Sequence, residues 1–366
     1  MVNKKYLKKL IALMEESNID VMFMAPSEDL EFLMGFSPHM DERFQGLFIT
    51  KDSRIFYVVP KLNREEVQDA IGSDGRVFDW GDGEGFLGIL SRAFEDYDLI
   101  HKTIGVNGTA RAVNMLDIED VLNVNFRSGK YILEELRIIK SEDEVKNLRE
   151  AARMADSVFQ ELIKFIRPGI QERDIKVKIK ELFMEMGAHG LSFEPIVASG
   201  PNSSKPHYNK DSRVVEKKDI VLLDFGCKYK GMCSDISRTV FLGDISEEEK
   251  RIYDIVYRAN EAAEKYVKIG VTAESVDKKA RNIIEAEGYG RNFLNRVGHG
   301  IGYSVHEAPY IKGGNKRELQ EGMAFSIEPG IYIQGKFGIR IEDIVVVTEN
   351  GGEILNRASK EVIIIK

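Results

Sequence analysis

The run Ile220-Val221-Leu222-Leu223-Asp224-Phe225 places a carboxylate inside an otherwise apolar stretch. Such a run is the pattern of a buried strand. A buried strand tolerates an ionised side chain only when something nearby offsets its lost hydration. The chain then offers a turn at Tyr229-Lys230-Gly231 and returns as Met232 to Val240, which contains Asp235. With Tyr229 and Lys230 forming the turn, Asp224 and Asp235 fall opposite each other across a hairpin, where like charges repel. A cation between them would remove that cost. Taken alone, the pair serves a structural role as readily as a functional one.

The same device returns later. Phe325-Ser326-Ile327-Glu328 ends an apolar strand on a carboxylate, and Gly338-Ile339-Arg340-Ile341-Glu342 brings another one back. Arg340 and Glu342 share a strand face by the period of two. Arg340 would balance an acidic cluster, although read by itself it is half of a surface ion pair. Between these runs, Gly298-His299-Gly300 and Val305-His306 hold two of the six histidines of the chain. Glycines on both sides of His299 let the backbone approach a neighbour closely. A lone histidine is usually a satisfied core or surface residue, but two in one glycine-rich stretch shift the balance toward a site.

These clusters sum to four carboxylates and one imidazole, with no thiolate. An oxygen-rich set suits Mn²⁺, Co²⁺ or Fe²⁺ at least as well as Zn²⁺. Four acids exceed the needs of one such ion, so two ions are expected, sharing a water or hydroxide that becomes a nucleophile near neutral pH.

Composition narrows the alternatives. A chain of 366 residues exceeds what one core usually serves, which points to two domains. The net charge of -8 argues against a nucleic-acid binder. No apolar run reaches the length of a membrane helix, and the lysine-rich start reads as an amphipathic surface helix, so a cytoplasmic protein is expected. Cys227 and Cys233 are too few for a disulfide framework and are expected as small strand residues.

Strand and helix signals alternate through the first 130 or so residues. Strands are expected at Ile19–Met24, Gly46–Thr50, Arg54–Val59, Ile104–Val106 and Val121–Asn125, with a helix over Lys61–Ala70. The acidic tract from Gly81 to Gly85 would repel phosphate and reads as a turn, not a nucleotide loop. A boundary near Ile132 to Ser141 divides the chain into residues 1–131 and 132–366. Ser141 and Glu144 then form a capping box for a long amphipathic helix ending near Ile166. Two similar helix openings, at Pro168-Gly169 and Ile269-Gly270, lie 101 residues apart and mark a weak internal repeat of two α+β halves.

These motifs, in this order, resemble the pita-bread metallopeptidases, and within them the Xaa-Pro dipeptidases (prolidases) and Xaa-Pro aminopeptidases. The strongest matches are Val197-Ala198-Ser199-Gly200 with Pro206-His207, Leu223-Asp224-Phe225-Gly226 and Ser234-Asp235-Ile236-Ser237-Arg238-Thr239. Gly298-His299-Gly300-Ile301-Gly302, His306-Glu307-Ala308-Pro309, Ile327-Glu328-Pro329-Gly330 and Arg340-Ile341-Glu342-Asp343 complete the set. Leu30 to Phe36 resembles the family's N-domain signature, and Asn295 departs from the histidine common there in relatives.

The resemblance implies an α+β pita-bread catalytic domain behind a smaller N-terminal α/β domain. It implies two divalent metal ions, Mn²⁺ first among the candidates, bound by Asp224, Asp235, His299, Glu328 and Glu342. Glu328 would take the proton of the attacking water. His207 and His306 would stabilise the tetrahedral intermediate, and Arg340 would support Asp235 and the pocket. The implied substrate is a proline-containing dipeptide or peptide N-terminus, and the implied assembly is a homodimer. A methionine aminopeptidase or a non-peptide C–N hydrolase on the same fold is the alternative.

Overall fold

Short apolar runs separated by helical patterns build the first part of the chain. The computed structural model describes residues 2–366. They fold as two compact units, the first ending at Arg137 and the second beginning at Ile138.

The first unit is α/β. It comprises, in chain order, α1 (Lys4–Glu16), β1 (Val21–Met24), α2 (Glu28–Met34), β2 (Gly46–Thr50), β3 (Ile55–Pro60), α3 (Arg64–Ile71), β4 (Arg76–Trp80), α4 (Leu87–Asp96), β5 (Thr103–Val106), α5 (Ala112–Leu122), β6 (Asn125–Ser128) and α6 (Lys130–Arg137). Its six-stranded sheet has the order β4-β3-β2-β1-β5-β6. The central strands β1, β2 and β3 are buried along their whole length, as strands covered on both faces must be. Phe48 stacks on Phe56 at a centroid spacing of 4.6 Å in this core, and Phe23 packs against Phe48 at 4.7 Å with its ring tilted by 34°. The expected strand at Val121–Asn125 is displaced. Val121 and Leu122 finish α5, Asn123 takes a left-handed conformation at φ 46°, and β6 starts at Asn125. Asparagine accommodates that conformation and so ends the helix.

The second unit is α+β and opens with α7 (Glu142–Phe165). The capping box is present: Ser141 N–H donates to Glu144 Oε2 at 2.7 Å, and Glu144 N–H donates to Ser141 Oγ at 3.4 Å. Next come α8 (Glu172–Glu185), β7 (Gly190–Leu191), β8 (Ile196–Ser199), β9 (Ile220–Phe225), β10 (Cys227–Tyr229), β11 (Met232–Cys233) and β12 (Ile236–Leu242). The later half contains α9 (Glu247–Tyr266), α10 (Ala273–Ala286), β13 (Gly298–Gly300), β14 (Glu307–Ile311), β15 (Ala324–Ile327), β16 (Gly330–Ile333), β17 (Phe337–Arg340), β18 (Asp343–Thr348), β19 (Gly351–Ile354) and β20 (Ile363–Ile365).

The internal repeat is visible in the structure. Both ends of α8 and α10 lie 101 residues apart. Each helix is preceded by a residue in an isolated antiparallel bridge, Gln171 with Val214 and Thr272 with Glu318. Strands β8, β9 and β12 of the first half form a sheet of order β20-β12-β9-β8, completed by β20 from the end of the chain, and the second half holds one of order β14-β13-β15-β18-β19. The bridge between Ser237 and Glu342 joins the halves, and the acidic residues converge beside it.

Candidate metal centre

Turn chemistry sets the position of the first two carboxylates. Lys230 and Gly231 both have positive φ, 46° and 84°, the signature of a two-residue type I′ hairpin turn. That moves the turn one residue beyond Tyr229-Lys230, so Asp224 pairs with Ser237 instead of Asp235. The register change is by two residues, an even number, so Asp235 keeps its face and lies diagonal to Asp224.

The other three groups come from the second half. His299 is the central residue of β13, Glu328 directly follows β15, and Glu342 links β17 to β18. All five side chains that sequence singled out as metal ligands line one cavity of about 480 Å³, together with His207, His306 and Arg340. His299 Nε2 lies 3.4 Å from Glu328 Oε1 and 3.7 Å from Asp235 Oδ2. One donor atom each of Asp235, His299 and Glu342 falls within 4.8 Å of the others. The His299 Nδ1 atom is 3.1 Å from Gly300 O. A proton on Nδ1 in that contact leaves Nε2 as the acceptor facing the carboxylates.

Hydrogen bonding hold the cluster's outer edge. Ser237 Oγ donates to Glu342 Oε2 at 2.7 Å, and Arg340 Nε donates to Ser237 Oγ at 2.8 Å. Arg340 Nη1 reaches Tyr332 Oη at 2.6 Å, and its Nη2 pairs with Asp224 Oδ2. Arg340 is therefore a buried ion-pair residue, not a surface one, and its ion-pair partner is Asp224, where support of Asp235 was expected.

Acceptor oxygens are left over. Asp224 Oδ1, Asp235 Oδ1 and Glu342 Oε1 are buried and have no hydrogen-bond partner among the described residues. Orphaned acceptors of this kind are rare in a folded protein and call for a specific explanation. The carboxylates of Asp224, Asp235 and Glu342, lining one cavity with the His299 imidazole, form a donor set that fits divalent cations.

The electrostatics agree. Burial raises the Asp235 carboxyl well above the usual range, with the charges of Glu342 and Asp224 adding to it. Burial raises Glu342 in the same way, helped by Glu328 and Asp224. Glu328 is pushed up to about 7 by burial and Asp224, against the opposing charge of Arg340. Burial and nearby His306 hold His299 well below its ordinary value. His306 packs edge-on against His299 at 4.2 Å while its side chain remains exposed toward the cavity. Partial loss of hydration and the Arg296 charge lower its pKa.

Sequence reasoning missed Ser237, Tyr332, Arg296 and Lys312, which also line the cavity or hold its wall. Ser237 had a signal, because it lies two residues after Asp235 on the same strand face. Among the described residues no helix is long and apolar enough to cross a membrane.

Known proteins resemble this chain over its whole length. Residues 146–349 match the model of metallopeptidase family M24, and residues 7–139 match that of the creatinase/prolidase N-terminal domain. An Xaa-Pro dipeptidase of Lactobacillus helveticus is 35% identical over 373 residues, covering 98% of each chain. The crystal structure of a recombinant prolidase from Thermococcus sibiricus superposes with a TM-score of 0.95 at 38% identity, covering 100% of this chain and 99% of that one. An X-Pro aminopeptidase from Thermotoga maritima superposes with a TM-score of 0.85 at 31% identity, covering 98% and 99%. The chain belongs to metallopeptidase family M24, with a pita-bread C-terminal domain preceded by a creatinase/prolidase N-terminal domain.

Proposed function

We propose that this chain is a metal-dependent Xaa-Pro dipeptidase that hydrolyses the bond preceding a C-terminal proline. Asp224, Asp235, His299, Glu328 and Glu342 would hold two divalent cations, Mn²⁺ first among them because the donor set is rich in oxygen. The observation that carries this reading is the set of partnerless buried oxygens on Asp224, Asp235 and Glu342, gathered in one cavity. The end-to-end likeness to Xaa-Pro dipeptidases supplies the substrate class.

When bound, the cations would polarise the scissile carbonyl and bring a water within reach of deprotonation near neutral pH. The residues of the chain do the rest. Glu328, whose carboxyl titrates near 7 in the metal-free site, is suited to accept a proton and pass it on. His207 and His306 stand on the cavity wall as donors to a developing negative charge. Arg340 offsets part of the acidic charge and orients Asp224. Phe193, Ile196 and Val305 give the same cavity an apolar wall suited to a pyrrolidine ring. Proline has no N–H to donate, so a pocket that selects it must use shape in place of a backbone hydrogen bond.

The Thermotoga maritima likeness supports a second reading, removal of the first residue from longer Xaa-Pro peptides. Enzyme purified without chelator, analysed for metal and assayed on paired substrates, separates the two. An Xaa-Pro dipeptide is expected to turn over faster than the matching Xaa-Pro-Xaa tripeptide. Preference for the tripeptide would select the aminopeptidase. A Met-Ala-Ser substrate cleaved faster than any prolyl peptide would reject both.

A further inference from the structure

Glu172 is the first residue of α8, is not among the residues that line the cavity, and is fully buried. Its Oε1 accepts the Ser199 N–H at 2.7 Å, the Ser199 hydroxyl at 2.8 Å and Asn202 Nδ2 at 3.1 Å. Its Oε2 accepts the Tyr208 hydroxyl at 3.0 Å. One carboxylate thus binds the start, the middle and the end of residues 199–208. The opposite side of the segment is tied to the strand of Arg340. Ser203 Oγ accepts the Gly338 N–H at 2.9 Å, and Pro206 O accepts from Arg340 Nη1 at 3.4 Å.

His207 projects from this segment into the cavity. Its side chain is exposed, and no hydrogen bond among the described residues orients the ring. The backbone must therefore set where the imidazole stands.

The internal repeat supplies an independent comparison. The position equivalent to Glu172, 101 residues later, is Ala273, also the buried first residue of its helix. The backbone there is alike: Glu172 N–H donates to Arg213 O at 3.0 Å and Ala273 N–H to Arg317 O at 2.9 Å. A methyl group is enough to start the helix in the second half. A buried carboxylate is costly unless its bonds are used, and all of these bonds go to the His207 segment.

We infer that Glu172 is the positioning residue for His207, fixing through Ser199, Asn202 and Tyr208 the segment that presents the imidazole to the cavity. The inference rests on the role given to His207 in the proposed function.

Tyr208→Phe and Glu172→Gln test it with little change of shape. Each is made alone and in a His207→Ala background. In each single variant kcat is expected to fall about 5-fold, the equivalent of one lost hydrogen bond, with KM changed by less than about twofold. Neither substitution should lower kcat further once His207 is alanine. A second readout does not depend on turnover. In enzyme loaded with diamagnetic Zn²⁺ and carrying ¹³C-labelled histidine, either substitution should shift or broaden the His207 imidazole signal, while those of the other five histidines stay in place. An unmoved His207 signal, or the same loss of kcat without His207, overturns the inference. If the wild-type enzyme leaves every prolyl dipeptide intact, the substrate reading fails and the imidazole signal alone decides the role of Glu172.

Discussion

Arg340 and Asp224 form a buried ion pair at the edge of the acidic cluster, with side chains 3% and 11% exposed. The guanidinium reaches the cluster by one further route, through Ser237 to Glu342, and is itself held by the Tyr332 hydroxyl. One fixed positive charge thus faces four carboxylates, too little to offset their mutual repulsion, so in the metal-free site they hold on to protons.

Replacing that charge gives the first prediction. Arg340→Met keeps the length of the side chain but leaves Asp224 buried without its partner. Breaking one side of a buried pair costs about 3–5 kcal/mol. Urea denaturation of chelator-treated enzyme is expected to show a loss of that order. Added Mn²⁺ should recover part of it, because a cation offsets the same carboxylates. Equal losses with and without metal would separate Arg340 from the metal centre.

The raised carboxyl groups predict how stability depends on pH. Glu328 titrates near 7 in the folded, metal-free site against an ordinary 4.5, so the native state binds the extra proton between those values. Stability supplied by protonated Glu328 is whole below about 4.5 and is lost as pH rises through about 7. At 1.36 kcal/mol per unit the loss is roughly 3 kcal/mol for this group, and Asp235 and Glu342 push in the same direction. His299 and His306, held below their ordinary 6.5, act in the opposite sense below that value, so the loss is to be read above it: chelated enzyme should be less stable at pH 8 than at pH 6.5. With Mn²⁺ the slope should reverse, because the metal binds the deprotonated ligands. Denaturation midpoints across this range, with and without Mn²⁺, check both signs.

Glu328→Gln separates proton transfer from folding. The amide keeps the shape and the 3.5 Å contact with Ser326 Oγ but cannot take up a proton. Turnover is expected to fall at least about 100-fold, the usual scale for loss of a general base, with cooperative unfolding retained. Asp235→Ala should abolish activity and also lower metal content, which elemental analysis would detect. Full turnover in either variant would remove these residues from the active site.

Helix positions were readable from sequence because caps and periodicity are local signals. Ser141 with Glu144 announces α7, and the matched ends of α8 and α10 follow from the two repeated openings. The four carboxylates stand out in the sequence because their chemistry conflicts with the apolar runs around them, and His299 because glycines flank it; the structure brings all five to one cavity. Hairpin register was not, since it depends on which two residues adopt positive φ, and Lys230 gives no warning that it will. The burial of Arg340 was also hidden. It depends on Asp224, Ser237 and Tyr332, the first two more than 100 residues away, all meeting one guanidinium. The 199–208 segment has no periodic pattern in the sequence, and only its bonds to Glu172 on one side and to Gly338 and Arg340 on the other show how it is held.

Gly298 allows the close approach on which His299 depends. A Cβ built there would overlap the Ser326 carbonyl oxygen and stand 3.2 Å from Ser326 Oγ, the atom that accepts the His299 N–H at 3.1 Å. The clash is with backbone, so β13 would have to move away from β15. Gly298→Ala should cost about 1–3 kcal/mol, the scale of overpacking a tight core. Because His299 moves with its strand, Mn²⁺ affinity should also fall, measured by calorimetric titration of chelator-treated protein. Gly313→Ala is the control, since a Cβ there meets no atom within 4 Å and both quantities should stay unchanged. Wild-type metal affinity in a clearly destabilised Gly298→Ala variant would show that the spacing of β13 and β15 supports the fold without setting the position of His299.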